Sequence, residues 1–160
     1  MSKQQYQRIY PSPEAGVTLK GRWTLIHQRG DQVLKTIEGD NVVCTNGKEF
    51  LASFLYSASV APSTFTCKYV AIGTDSTAEA AANTALGTEL TRTTGTVSYV
   101  SNQVYQVTAT FASGVGTGAI VEYGLLSSST GGTLLSRDTE AVINKAANDT
   151  LTTIVRITVG

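Results

Sequence analysis

The feature that most restricts what this chain can fold into is a strict two-residue alternation near its C-terminus. In LTTIVRITV, Leu151, Thr153, Val155, Ile157 and Val159 fall in one row. A period of two belongs to an extended strand, whose successive side chains point to opposite faces. QVYQVTATF repeats the pattern. Tyr105, Val107, Ala109 and Phe111 share one face and Gln106, Thr108 and Thr110 the other, as in a half-buried antiparallel strand. AIVEYGLLS and TLLSRDTEAV continue the series, punctuated by Gly131-Gly132 and by the polar run Lys145 to Asp149. Short strands with turn signals about every ten residues close into a sandwich or a barrel.

The first half fits the same plan. Trp23, Leu25 and His27 share one face of GRWTLIHQ, while DQVLKTIE puts Val33 and Ile37 on one face and Leu34 on the other. Gln28-Arg29-Gly30-Asp31 is a turn signal between them, which predicts a hairpin. NVVCT at 41–45 reads as a third short strand, and CKYVAIG alternates around Tyr69. Asn46 with Glu49 has the form of a capping box, and Phe50, Leu51, Phe54 and Leu55 give the following helix one apolar stripe, with Pro62 beyond its end. Residues 1–20 are polar, carry Pro11 and Pro13 and follow neither period. They read as an extended arm that packs on a neighbour, or as a terminus without a role. The expected protein is mainly β: an antiparallel β-sandwich, jelly-roll-like, with one short α-helix at about 46–58 and an extended N-terminal arm. Its parts are the arm, 1–20, and a single sandwich domain, 21–160, with jelly-roll and Greek-key strand orders both open.

Composition narrows the partners. At 160 residues the chain can bury one core without metal or disulfides. Twelve Lys and Arg balance twelve Asp and Glu, with no block of like charge, so neither nucleic acid nor a membrane surface is an expected partner. Charged residues are only 15% of the chain, against about 25% in ordinary soluble domains. That suits a surface packed against other proteins, and equally a merely Thr-rich β-protein. No export signal and no run of eighteen apolar residues is visible. Cys44 and Cys67 lack any CxxC spacing and are expected as buried apolar side chains in a reduced protein.

Little in the sequence carries chemistry. His27 is the one histidine, and no motif supplies it with a nucleophile or an orienting carboxylate, so a structural role is expected. Gly114-Val115-Gly116-Thr117-Gly118 resembles a phosphate cradle, but a strand follows where a cradle would open a helix, so it reads as a hairpin loop. Arg29-Gly30-Asp31 matches the tripeptide that animal integrins bind, yet Gly and Asp are ordinary turn formers. Glu122 is the sole acid inside a convincing strand of the second half, which gives paired-carboxylate hydrolysis no particular support. No catalytic, cofactor or metal residues are expected. Between Gly73 and Glu89 the residues are mostly Ala, Thr and Ser. Gly73 reads as the turn that ends a strand, Gly87 as a second turn, and Glu89 with Arg92 as a pair pinning the far end of the loop.

The ordered set YVAIGT (69–74), TALGTELTR (84–92), VTATF (107–111), EYGLLSSSTGGTLLSR (122–137) and NDTLTTIVRITV (148–159) resembles a pattern found in small virion structural proteins of tailed bacteriophages. It covers about residues 66–159. The departures are Tyr123 where a small residue is usual, Leu126 in place of an aromatic, and Val155-Arg156 where an aromatic is commoner. The resemblance implies a protein without enzymatic activity. Such proteins sit on the head, as decoration or cement subunits bridging major capsid proteins, or in the tail as fibre or baseplate parts. A single domain with an arm and no collagen-like repeat or heptad favours the head. Its exterior would be reached after assembly in the host cytoplasm. The expected partners are then the major capsid protein and further copies of this chain, as a dimer or trimer. The expected contacts are Tyr6, Arg8 and Tyr10 of the arm and Asp75, Thr77, Glu79 and Asn83 of the loop. The alternative is a receptor- or glycan-binding tail module using exposed tyrosines. For that role the alternation counts against Tyr99 and Tyr105, which it sends to the core.

Overall fold

A computed structural model describes residues 18–53, 67–101 and 103–160 fully and the backbone of 54–56. The elements are β1 (Leu19–Arg29), β2 (Gln32–Val43), α1 (Thr45–Tyr56), β3 (Tyr69–Gly73), β4 (Glu89–Thr94), β5 (Thr96–Ser101), β6 (Val104–Phe111), β7 (Gly118–Leu126), β8 (Leu134–Lys145) and β9 (Asp149–Val159). All the strand pairings are antiparallel, in the order β4-β3-β7-β8-β2-β1-β9-β6-β5.

The sheet curls on itself into two facing layers. One holds β4, β3, β7 and β8, the other β2, β1, β9, β6 and β5. The seam is short: only Val42 and Val43 of β2 face Arg137 and Ser136 of β8. Beyond it the layers separate and the core fills the space between them. Trp23, Leu25, Phe111, Leu151 and Val155 on one side meet Val70, Ile72, Ile120, Tyr123 and Leu125 on the other, and the Trp23 and Tyr123 rings lie 6.0 Å apart. The two-residue rows decide which residues these are. Tyr105, Val107, Ala109 and Phe111 turn inward, as do Leu151, Thr153, Val155 and Ile157. The mainly β, antiparallel, jelly-roll-like sandwich, with one short helix among the described residues, is thus the observed architecture, and hairpins alternate between its layers as the chain proceeds.

Several local expectations are corrected. NVVCT is not a separate strand. β2 runs unbroken to Val43, because the register with β1 continues through Gly21 opposite Asn41. The helix begins at Thr45, so Asn46 lies inside the first turn: the Cys44 carbonyl accepts the first helical bond from the Lys48 amide at 3.1 Å, and the Thr45 amide donates to the Ala81 carbonyl at 2.7 Å. GVGTG is not a hairpin loop: β6 and β7 belong to opposite layers, and the glycines carry the chain across. β3 does not alternate; Val70 to Gly73 are buried on both faces. Tyr99 is 74% exposed on β5, an outer strand of the sheet, whereas Tyr105 packs against the core and donates its hydroxyl hydrogen to the Cys67 carbonyl. The hairpin at Gly30 forms as read, with the glycine at φ 55°. Cys44 and Cys67 are free and buried, and burial pushes the Cys67 thiol up to about 12. Leu19 and Lys20 already belong to β1 and Thr18 pairs with Gly160 beside it, while the rest of the expected arm, residues 1–17, lies outside the described residues.

Candidate functional site

β3 is buried on its outer face because residues 74–88 fold back over it. Leu86 descends into a second cluster with Cys44, Ala71, Leu126 and Leu134. Gly124 of β7 makes room for it, since a Cβ there would strike the Leu86 side chain. What holds the rest of the loop is a buried ion pair. Glu122 of β7 and Arg137 of β8 are 0% and 1% exposed and lie on one face, because Gly124 is the register partner of Arg137. Glu122 Oε2 accepts from Arg137 Nη2 at 2.9 Å and Nε at 3.1 Å. The same carboxylate accepts from the loop amides of Gly87 at 2.8 Å, Thr88 at 2.7 Å and Asp75 at 3.3 Å. Arg137 spends its remaining donors on the Thr77 carbonyl at 3.0 Å, Asn83 Oδ1 at 3.4 Å and Asp75 Oδ2 at 3.3 Å.

This clamp satisfies the desolvated charges, which is the condition for tolerating such a pair in the interior. It also explains two glycines differently from the turn reading. Neither Gly73 nor Gly87 has a positive φ. A side chain on Gly73 would run into Glu122 and the Thr88 carbonyl, and one on Gly87 into Asp75. Their task is close approach. The expected pairing of Glu89 with Arg92 is present and bidentate, at 2.6 and 2.7 Å, and Arg92 also donates to the carbonyls of Ser128 and Gly131.

Of the expected contact residues of the loop, Asp75, Glu79 and Asn83 are half-buried with their side chains turned back onto the sandwich, whereas Thr77 is exposed and contributes its backbone carbonyl to Arg137. Asp75 accepts from the Thr77 amide and hydroxyl at 3.2 and 2.9 Å, and the Thr77 interactions hold its carboxyl below the usual range. Asn83 Oδ1 accepts from the Ala80 amide at 2.6 Å, and Glu79 accepts from the Thr139 hydroxyl. What the loop shows to solvent is Thr74, Ser76, Thr77, Ala78, Ala80 to Ala82, Thr84, Ala85, Gly87 and Thr88. Tyr6, Arg8 and Tyr10 lie outside the described residues.

A second polar centre escaped the sequence reading. Asp149, at the start of β9, is fully buried and accepts from Arg29 at 2.7 and 3.3 Å and from the Ala146 amide at 2.9 Å. His27 Nε2 lies 2.8 Å from the same carboxylate. The Arg29 hydrogen bond is the largest of the interactions that drive the Asp149 pKa well below the ordinary carboxylate value, against the effect of burial. Nearby, Lys145 is 2% exposed and donates to the Ala112 carbonyl at 3.0 Å, with its pKa lowered by burial. The sign that could have exposed these centres is a charged residue inside an apolar strand or at its first position, as at Glu122, Arg137 and Asp149. The sequence alone does not say which charges meet.

Among the described residues no three His, Cys, Asp or Glu side chains are arranged to hold a metal, and no helix is long and apolar enough to cross a membrane. An apolar groove of about 450 Å³ opens between α1 and the ends of β1, β5, β6 and β9, walled by Leu19, Phe50, Leu51, Tyr99, Tyr105 and Val159. No protein-family model, no curated protein and no solved structure matches the chain.

Proposed function

We propose that this chain is a non-enzymatic structural protein of a tailed-phage virion, a capsid decoration or cement subunit that binds across junctions of the major capsid protein. The observation that carries the reading is the loop 74–88. Its charged and amide side chains are spent on holding it against the sandwich, and its outer surface is small and uncharged. A fixed, low-charge surface can be buried against a neighbour with little conformational or desolvation cost. Repetition on a lattice multiplies modest contacts. The segments that resemble the virion pattern also meet in space: Leu86 and Gly87 of TALGTELTR pack on Glu122 and Gly124 of EYGLL and on Asp75 beside YVAIGT.

One observation favours the second reading, a tail-associated receptor- or glycan-binding module. Tyr99 is 74% exposed beside the apolar groove, a placement suited to stacking against a sugar face. Immunogold labelling of the virions of the encoding phage separates the two. Label over the heads is the expected result, label on tails transfers the function to the second reading, and unlabelled particles remove both.

A further inference from the structure

Asp138 of β8 sits next to Arg137 but on the opposite face, across from Tyr123 of β7 in the register. It is 1% exposed, and its Oδ2 and the buried Tyr123 hydroxyl make no hydrogen bond. Its charged neighbours are acids: Glu140 on β8, Glu79 from the loop over β3 and Asp40 on β2. Gly39 of β2 shows how tightly two of them converge. A Cβ on that glycine would collide with Glu140 Oε1 and would lie 3.7 Å from Asp138 Oδ2. The nearby cations are engaged elsewhere. Arg137 is on Glu122 and Asp75, Arg22 of β1 is on Glu38 and Asp40, and Lys35 of β2 is on the Ala141 and Val142 carbonyls. The cluster lies one residue past the short seam, where Val42 faces Arg137.

We propose that the Asp138 carboxyl is the proton-binding element of a pH-sensitive seam between the two layers. Protonated, it lets β2 close on β8. When the proton passes to solvent, the Asp138 carboxylate repels Glu140 and Glu79 beside it and Asp40 across the seam, and the seam loosens. Burial, aided first by Glu140 and then by Glu79, pushes Asp138 from 3.8 up to about 7. The folded chain therefore holds this proton more tightly than the unfolded chain does. The associated stability is complete below the unfolded value of 3.8 and is lost as pH rises through about 7. The seam belongs to the subunit itself and does not depend on what the loop contacts in a virion.

Two measurements on the full chain test it. NMR of the Asp138 side-chain carboxyl should give a midpoint near neutrality, moved down by Glu140→Gln. Hydrogen exchange should show protection of the Cys44 amide, which bonds the Leu135 carbonyl at 2.9 Å beside the seam, falling at least about tenfold as pH rises from 3.8 toward that midpoint, since each pKa unit that opening releases changes the opening equilibrium about tenfold. Asp138→Asn should abolish the pH dependence of protection. A midpoint in the ordinary aspartate range overturns the proposal, as does a pH dependence that survives in Asp138→Asn. If that variant does not fold, the carboxyl titrations of the wild type and Glu140→Gln decide alone.

Discussion

At the scale of single residues, the buried pair of Glu122 and Arg137 has the largest consequences. Removing either partner leaves buried groups short of a hydrogen bond. Three loop amides lose their acceptor if Glu122 is removed, and a fully desolvated guanidinium is left beside Asp75. Removing one member of a buried ion pair costs about 3–5 kcal/mol, most of it the burden of the stranded charge. Urea denaturation of Glu122→Ala should show a loss of this size. The double variant Glu122→Ala/Arg137→Ala should be less destabilised than the sum of the single ones, since the second change removes the stranded charge. Additive losses would show that the two side chains do not act as a unit. Glu122 was legible in the sequence as an acid inside a strand, but its partner was not. Arg137 lies fifteen residues away across a hairpin, and only the register of β7 against β8 brings the two onto one face.

At the scale of elements, two-residue periodicity identifies the buried residues wherever one face of a strand meets the core, and fails where another segment covers the second face. β6 and β9 follow their two-residue rows. β3 does not, because the loop after it returns to bury its outer side through Leu86. Tyr99 broke its row for the opposite reason: β5 is an outer strand with all six residues exposed, so alternation there selects no buried face. Side-chain capping preference favours Asn46 as the cap, whereas packing against β8 sets the start of α1 at Thr45. Gly47 marks that contact. A Cβ on it would come within 2.5 Å of the Leu135 carbonyl oxygen and 2.7 Å of its Cα. In an open helix Gly→Ala gains about 1 kcal/mol. Here the added methyl meets backbone that cannot rotate away, and overpacking of this kind costs about 1–3 kcal/mol. Gly47→Ala should therefore lower the thermal midpoint. A raised midpoint would mean that α1 can shift off β8 at little cost.

At the scale of the whole molecule, fold class was readable because many strands share one simple period. The layer assignment was not, since it depends on which hairpins pair across the curled sheet. The ends of the sandwich bear on the proposed function. Thr18 and Gly160 close the β1–β9 pairing with amide-to-carbonyl bonds in both directions, at 2.5 and 2.9 Å, and the Thr18 hydroxyl adds a third bond at 2.6 Å. Thr18 therefore belongs to the folded domain, and a cut that spares it leaves every described strand intact. Residues 1–17, which carry Tyr6, Arg8 and Tyr10, can then be tested for attachment separately from folding. A tethered segment that adds even a weak contact raises the affinity of the whole by holding the second contact at high effective concentration. On the cement reading, a chain lacking residues 1–17 should unfold at the same denaturant concentration as the full chain, yet co-sediment with undecorated heads at a reduced level. Decoration as tight as that of the full chain would remove the arm from the interface and leave attachment to the surface of the loop 74–88.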